Sequence, residues 1–160
     1  MLNWFKRKKR KVQITAQEIV PMKPIHYSPK IIMAWSQSIS GNKEITTWLN
    51  TNGYKELAMA TSAILLKDEA RDWLQKNGFP HLLAMINGAE GNASAQQWLK
   101  THGFETLYHI AQAVESEPDS WRWLKENVTQ DLFILAQSIK KIKDKIEENH
   151  NDIHSFGQDF

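Results

Sequence analysis

The sequence predicts an all-α fold, a short α/α-repeat solenoid, and three observations carry that expectation. The pair Trp48-Leu49 returns as Trp73-Leu74, Trp98-Leu99 and Trp123-Leu124, each 25 residues after the last. A strict period of this length marks an array of stacked supersecondary units. A glycine follows the first three pairs at one distance, in Asn52-Gly53-Tyr54, Asn77-Gly78-Phe79 and His102-Gly103-Phe104, with Asn127-Val128-Thr129 in the fourth copy. An apolar stripe at i, i+3, i+4, i+7 recurs with the same period, as one face of a helix does. Each unit therefore reads as helix–Gly–helix, a short helix of about two turns and a second of about three.

The elements follow in order. Residues 1–11 place Leu2, Trp4 and Phe5 directly before six cations, Lys6, Arg7, Lys8, Lys9, Arg10 and Lys11. Apolar anchors beside a basic cluster suit an anionic membrane surface, and the same residues also suit a solvated tail or a nucleic-acid contact. Residues 12–27 contain Pro21 and Pro24, lack helical periodicity and read as an extended linker or an arm lying on the body. The repeat domain is expected over residues 28–148. Ser28-Pro29 is an N-cap with proline in the first helical position. The stripe then runs through Ile32, Trp35, Ser36, Ile39; Leu57, Ala60, Thr61, Ile64; Leu82, Met85, Ile86, Ala89; Leu107, Ile110, Ala111, Val114; and Leu132, Leu135, Ala136, Ile139.

Between these stripes, Asn42 is an expected cap, Ser116-Glu117-Pro118-Asp119 resembles a capping box, and Thr129 precedes the last helix. The sequons at Asn92 and Asn127 also read as caps. The two glycines in Asn87-Gly88-Ala89-Glu90-Gly91-Asn92 are expected to shorten the second helix of the third unit, because glycine costs a helix about 1 kcal/mol. The last helix runs from about Gln130 to Glu148, where the Trp-Leu pair is due again and is missing. Residues 149–160 then read as a polar C-terminal tail.

Composition narrows the function. The chain has 160 residues, 41% of them hydrophobic, enough for one core, and no cysteine, which excludes disulfides, thiolate catalysis and Cys-ligated metals. Net charge is +2, but residues 28–148 hold 13 Lys and Arg against 15 Asp and Glu, so only the N-terminal segment is basic. No apolar run reaches membrane-spanning length and no secretory signal is evident, so the expected location is cytoplasmic, peripheral at the inner face of a membrane. No catalytic constellation emerges. His150 and His154 stand four apart around Asp152, short of a zinc motif, and His81, His102 and His109 are isolated. No cofactor, metal or small-molecule substrate is implied.

The repeated Trp side chains are expected to fill the seams between units, where an aromatic buries roughly 150–250 Å². Trp35 and Trp121 fall outside that column and are better placed for exposed contacts. Trp121 stands where Thr46, Arg71 and Gln96 stand in the other copies. One polar column invites a partner: Gln37, Ser62, Asn87, Gln112 and Gln137, each followed by a small residue. Amides and hydroxyls on successive parallel helices form a ladder able to hydrogen-bond an extended chain, or else the solvated edge of those helices.

In architecture alone, the chain resembles the broad class of helical repeats that includes HEAT and armadillo arrays, with a shorter unit than either. The expected function is a non-enzymatic adaptor or assembly subunit. Its partner is another protein or a peptide, with the anionic membrane as a second contact. Nucleic acid is the alternative, through the basic segment alone.

Overall fold

A computed structural model describes residues 21–23 and 25–155; the expected tail at residues 1–11, and the linker up to residue 20, lie outside the described residues. Among the described residues the chain is all-helical: α1 (Pro29–Ile39), α2 (Lys43–Thr51), α3 (Lys55–Ile64), α4 (Asp68–Lys76), α5 (Pro80–Ala89), α6 (Ala93–Thr101), α7 (Glu105–Val114), α8 (Pro118–Asn127) and α9 (Gln130–Ser155). None is long and apolar enough to cross a membrane.

Local chemistry sets the boundaries. Asn42 and Asn92 cap α2 and α6, their side-chain oxygens accepting from the amides of Ile45 (3.2 Å) and Ala95 (2.9 Å). The far ends of the short helices are closed from the side-chain side. The Asn52, Asn77 and Asn127 amides donate to the carbonyls of Trp48, Trp73 and Trp123 at 2.8, 2.8 and 2.9 Å, and His102 Nδ1 donates to Trp98 O at 2.8 Å. Asn127 thus ends α8 and does not cap α9. The capping box at Ser116 does not form either: Glu117 precedes α8 without a side-chain bond, and Ser116 adopts φ +86°.

The odd-numbered helices form an inner layer in which each packs on the next, and every even-numbered helix lies over the pair it connects. The predicted stripes face inward: among their twenty positions Leu132 alone is more than 9% exposed. A further contact changes the expected shape. Helix α9 packs along α1 more extensively than along α7, so the inner layer closes on itself where an open solenoid would hold its first and last helices apart. Helix α9 also continues through Ser155, so residues 149–155 are helical where a polar tail was expected, and residues 156–160 of that tail lie outside the described residues.

The Trp column is a correction. Leu49, Leu74, Leu99 and Leu124 are each 0% exposed and occupy the buried place on the short helices. The tryptophan one residue earlier, about 100° round the helix, falls at the margin: Trp48 is 46% exposed, while Trp73, Trp98 and Trp123 are half-buried against the core. These indoles instead stack on the aromatic after the glycine: Trp48 on Tyr54, Trp73 on Phe79 and Trp98 on Phe104, with centroids 6.0, 6.1 and 5.8 Å apart. Trp35, expected to be exposed, lies on the α1 stripe and is buried. Helix α5 is not shortened: it has ten residues, as do α3 and α7. A Cβ on Gly88 would stand 3.0 Å from Gln96 Cγ and 3.1 Å from Ala111 Cβ, so this glycine lets α6 and α7 close on α5.

The arm before α1 lies on the body. The Lys23 amide donates to Gly78 O, and His81 Nε2–H donates to Lys23 O, both at 2.8 Å. His81 Nδ1 accepts from the Leu82 amide at 3.1 Å, which leaves the proton on Nε2. Gly78 has φ +90°, and a Cβ there would come within 2.7 Å of Pro21 O. Further along, Tyr27 OH donates to Glu56 Oε1 at 2.9 Å; burial, then the Glu56 carboxylate, push this hydroxyl far above its usual pKa.

Candidate interaction face

The polar column sits near the C-terminal ends of α1, α3, α5 and α7 and in the first third of α9, and two of its members are already engaged. Arg71 on α4 donates to Asn87 Oδ1 (2.6 Å), Ala63 O (3.1 Å) and Glu90 Oε1 (2.5 Å). One unit later, Gln96 on α6 repeats the arrangement. Its Nε2 donates to Gly88 O (2.8 Å) and Glu115 Oε2 (2.6 Å), and its Oε1 accepts from Gln112 (2.8 Å). Each bridging residue therefore joins the carbonyl eight residues back, the column side chain sixteen ahead and the carboxylate nineteen ahead. The equivalent Thr46 is too short for this and shares a hydroxyl contact with Ser38 at 2.6 Å. The equivalent Trp121 is half-buried, its ring edge-on to Phe133 with centroids 5.7 Å apart.

The column is thus not one open ladder. Asn87 and Gln112 fasten neighbouring helices, Ser62 is half-buried on α3, and Gln37 and Gln137 are exposed on α1 and α9. Gln37 borders a groove of about 320 Å³ at the α1–α9 seam, with Met33, Ile134 and Ser138.

A larger groove opens beside the fastened pair. It has a volume of about 860 Å³ and lies between the overhanging part of α9 and the turns that end α3, α5 and α7. Lys143 anchors α9 across it, donating to Ile64 O (2.8 Å) and Glu90 Oε1 (2.9 Å). Burial lowers the Lys143 pKa, and the Glu90 bond opposes that shift; its side chain is 11% exposed. Lys140 donates to Ser116 Oγ and pairs with Asp144, both at 2.8 Å. Leu66, Val114 and Ile146 supply apolar wall, and Glu115 and Glu147 add carboxylates.

The rim of this groove holds an anomaly. The turns after α1, α3, α5 and α7 place Gly41, Leu66, Gly91 and Ser116 in left-handed backbone, at φ +104°, +68°, +91° and +86°. Leucine there carries a steric cost of roughly 1–2 kcal/mol that glycine avoids. Leu65 and Leu66 are also 43% and 52% exposed, so neither burial nor backbone geometry accounts for them. The sequence contained the signal, a leucine in the slot where Gly41 and Gly91 stand, but the glycines read more simply as helix breakers.

No family model, no curated protein and no solved structure matches this chain. The groove must therefore be read on its own chemistry. One half-buried pair has catalytic residue types: His109 Nδ1 lies 3.0 Å from Ser120 Oγ. Ser120 is buried, and burial lowers the pKa of His109.

Proposed function

We propose that this chain is a non-enzymatic protein-interaction module, an adaptor or assembly subunit built from a 25-residue helical repeat. Its partner contact is the groove under α9. The observation that carries the reading is the Leu65-Leu66 pair, two exposed leucines of which one is held in left-handed backbone at the groove rim. Strain retained at a position with no packing reward is characteristic of a site that meets something else. The partner's complementary surface presents an apolar side chain flanked by basic residues, since Glu115 and Glu147 border the same groove.

The second contact in this reading is the N-terminal segment, through which the module docks at the inner face of a membrane. Six consecutive cations after Leu2, Trp4 and Phe5 support it. The acidic balance of residues 28–148 argues against nucleic acid as the main partner.

The test places a photo-crosslinking residue at position 66 and, as a control, at position 47 on the outer layer. Position 66 is expected to give a discrete protein adduct in cell extract, lost when Leu65→Ser accompanies it. An adduct pattern identical from positions 66 and 47 would remove the groove from consideration.

A further inference from the structure

At the opposite end of the long helices lies another groove, about 670 Å³, between residues 25–29 and the first turns of α7 and α9. Its wall is apolar, with Ile32, Leu107, Leu132 and Leu135. Its rim carries Glu105 and Asp131, and no Lys or Arg among the described residues lines it. Each carboxylate lies in the first turn of its helix, where the helix dipole favours it, and with no Lys or Arg beside them the rim stays acidic. An apolar floor under such a rim fits a bulky apolar segment that continues into cations. The chain contains such a segment at Leu2, Trp4 and Phe5 followed by Lys6 to Lys11.

The arm brings that segment within reach. Lys23 is held by Gly78 and His81, and the His81 ring meets Phe104 at the groove's edge with centroids 5.3 Å apart. Pro21 is two residues before Lys23, close to that edge. The fifteen residues between Phe5 and Pro21 span up to roughly 50 Å when extended, enough to reach the groove. The groove under α9 is a poorer fit, because it lies at the other end of the long helices.

We propose that Leu2, Trp4 and Phe5 of this chain seat in the groove at the N-terminal ends of α1, α7 and α9, with Lys6–Lys11 beside Glu105 and Asp131. This deepens the reading of the segment as a membrane contact, on which its consequence rests: the same side chains serve groove and bilayer, so docking shelters them until an anionic surface competes. Charge attraction at an exposed rim weakens as salt screens it.

The test uses the full chain without lipid at low salt, following tryptic cleavage within Lys6–Lys11 by mass spectrometry. Cleavage of a segment that docks reversibly follows the population of its undocked form. The unmodified chain is expected to be cut about tenfold more slowly than the Trp4→Ser/Phe5→Ser chain, a factor that corresponds to about 1.4 kcal/mol. Glu105→Lys with Asp131→Lys is expected to accelerate cleavage similarly. Equal rates in all three chains overturn the proposal. So does protection that grows with protein concentration, which would put the segment on a second copy. Sedimentation of the same chains with anionic liposomes separates the two readings: protection without any sedimentation leaves the docking intact and removes the membrane contact.

Discussion

The substitution Gly78→Ala, set against Gly53→Ala, tests how the arm before α1 is held. The two glycines are one repeat apart with nearly the same backbone, φ +90° and +91°. A methyl at Gly53 meets nothing within 4 Å, so its cost is the left-handed backbone alone. That cost is about 1 kcal/mol, once the reduced freedom of the unfolded chain is set against the steric term. At Gly78 the methyl would also come within 2.7 Å of Pro21 O and 3.2 Å of Lys23 Cγ. The arm has to lift, and with it go the Lys23 N–H bond to Gly78 O and the His81 bond to Lys23 O. At about 1 kcal/mol each, Gly78→Ala costs about 3 kcal/mol against about 1 for Gly53→Ala. Urea denaturation followed by circular dichroism measures the difference of about 2 kcal/mol, a further fall in Tm of roughly 4–8 °C. Hydrogen exchange at the Lys23 amide is expected to accelerate in Gly78→Ala and not in Gly53→Ala. Equal destabilisation by the two substitutions, with that amide unchanged, would refute the account of the arm.

Three further outcomes follow from the packing. Leu49→Ala, at a side chain 0% exposed, is expected to cost about 2–5 kcal/mol, while Trp48→Ala, at 46% exposed, costs less; the order of their urea midpoints decides it. Gly88→Ala is expected to destabilise despite alanine's better helix propensity of about 1 kcal/mol, because its methyl crowds Gln96 Cγ at 3.0 Å and Ala111 Cβ at 3.1 Å; a raised Tm would contradict this. Burial depresses the pKa of His81 and of His109 below the ordinary value, so each favours the fold while neutral. Their contribution is complete above the unfolded pKa of about 6.5 and is lost as pH falls through the folded values. Stability is therefore expected to drop from pH 7 toward pH 5, and His81→Gln to flatten part of that slope in a Tm-against-pH series.

The helical repeat was legible because burial imposes its period directly on the residues. Leu57, Leu82 and Leu107 recur at one spacing since each fills the same inward place, and Gly53, Gly78 and Gly103 recur since each corner needs the same left-handed turn. The sequence could not show which member of Trp48-Leu49 is buried. Both are apolar and one residue apart, and only the rotation of the helix against its neighbours separates them. Closure was hidden for a different reason: nothing in a 25-residue period records that Ile32 and Trp35 on α1 will meet α9. The polar column was found, but the partners of Asn87 and Gln112 were not. Arg71 and Gln96 differ in type, so their shared role emerges only when the distances to Ala63, Gly88, Glu90 and Glu115 are known. The Leu66 anomaly was visible as a residue type and became meaningful with its dihedral angle.

The meeting of α1 and α9 also bears on how the chain acquires its fold. Helix α1 ends at Ile39 and α9 begins at Gln130, so the most extensive helix–helix contact among the described residues joins segments made far apart in time on the ribosome. Until α9 emerges, the face of α1 that carries Ile32 and Trp35 has only α2 and α3 against it and stays partly uncovered. Contacts of such long sequence separation slow folding, and apolar surface left waiting invites association with other chains. A nascent chain stalled before Gln130 is therefore expected to associate, and the last helix is the closing stave that covers its apolar face.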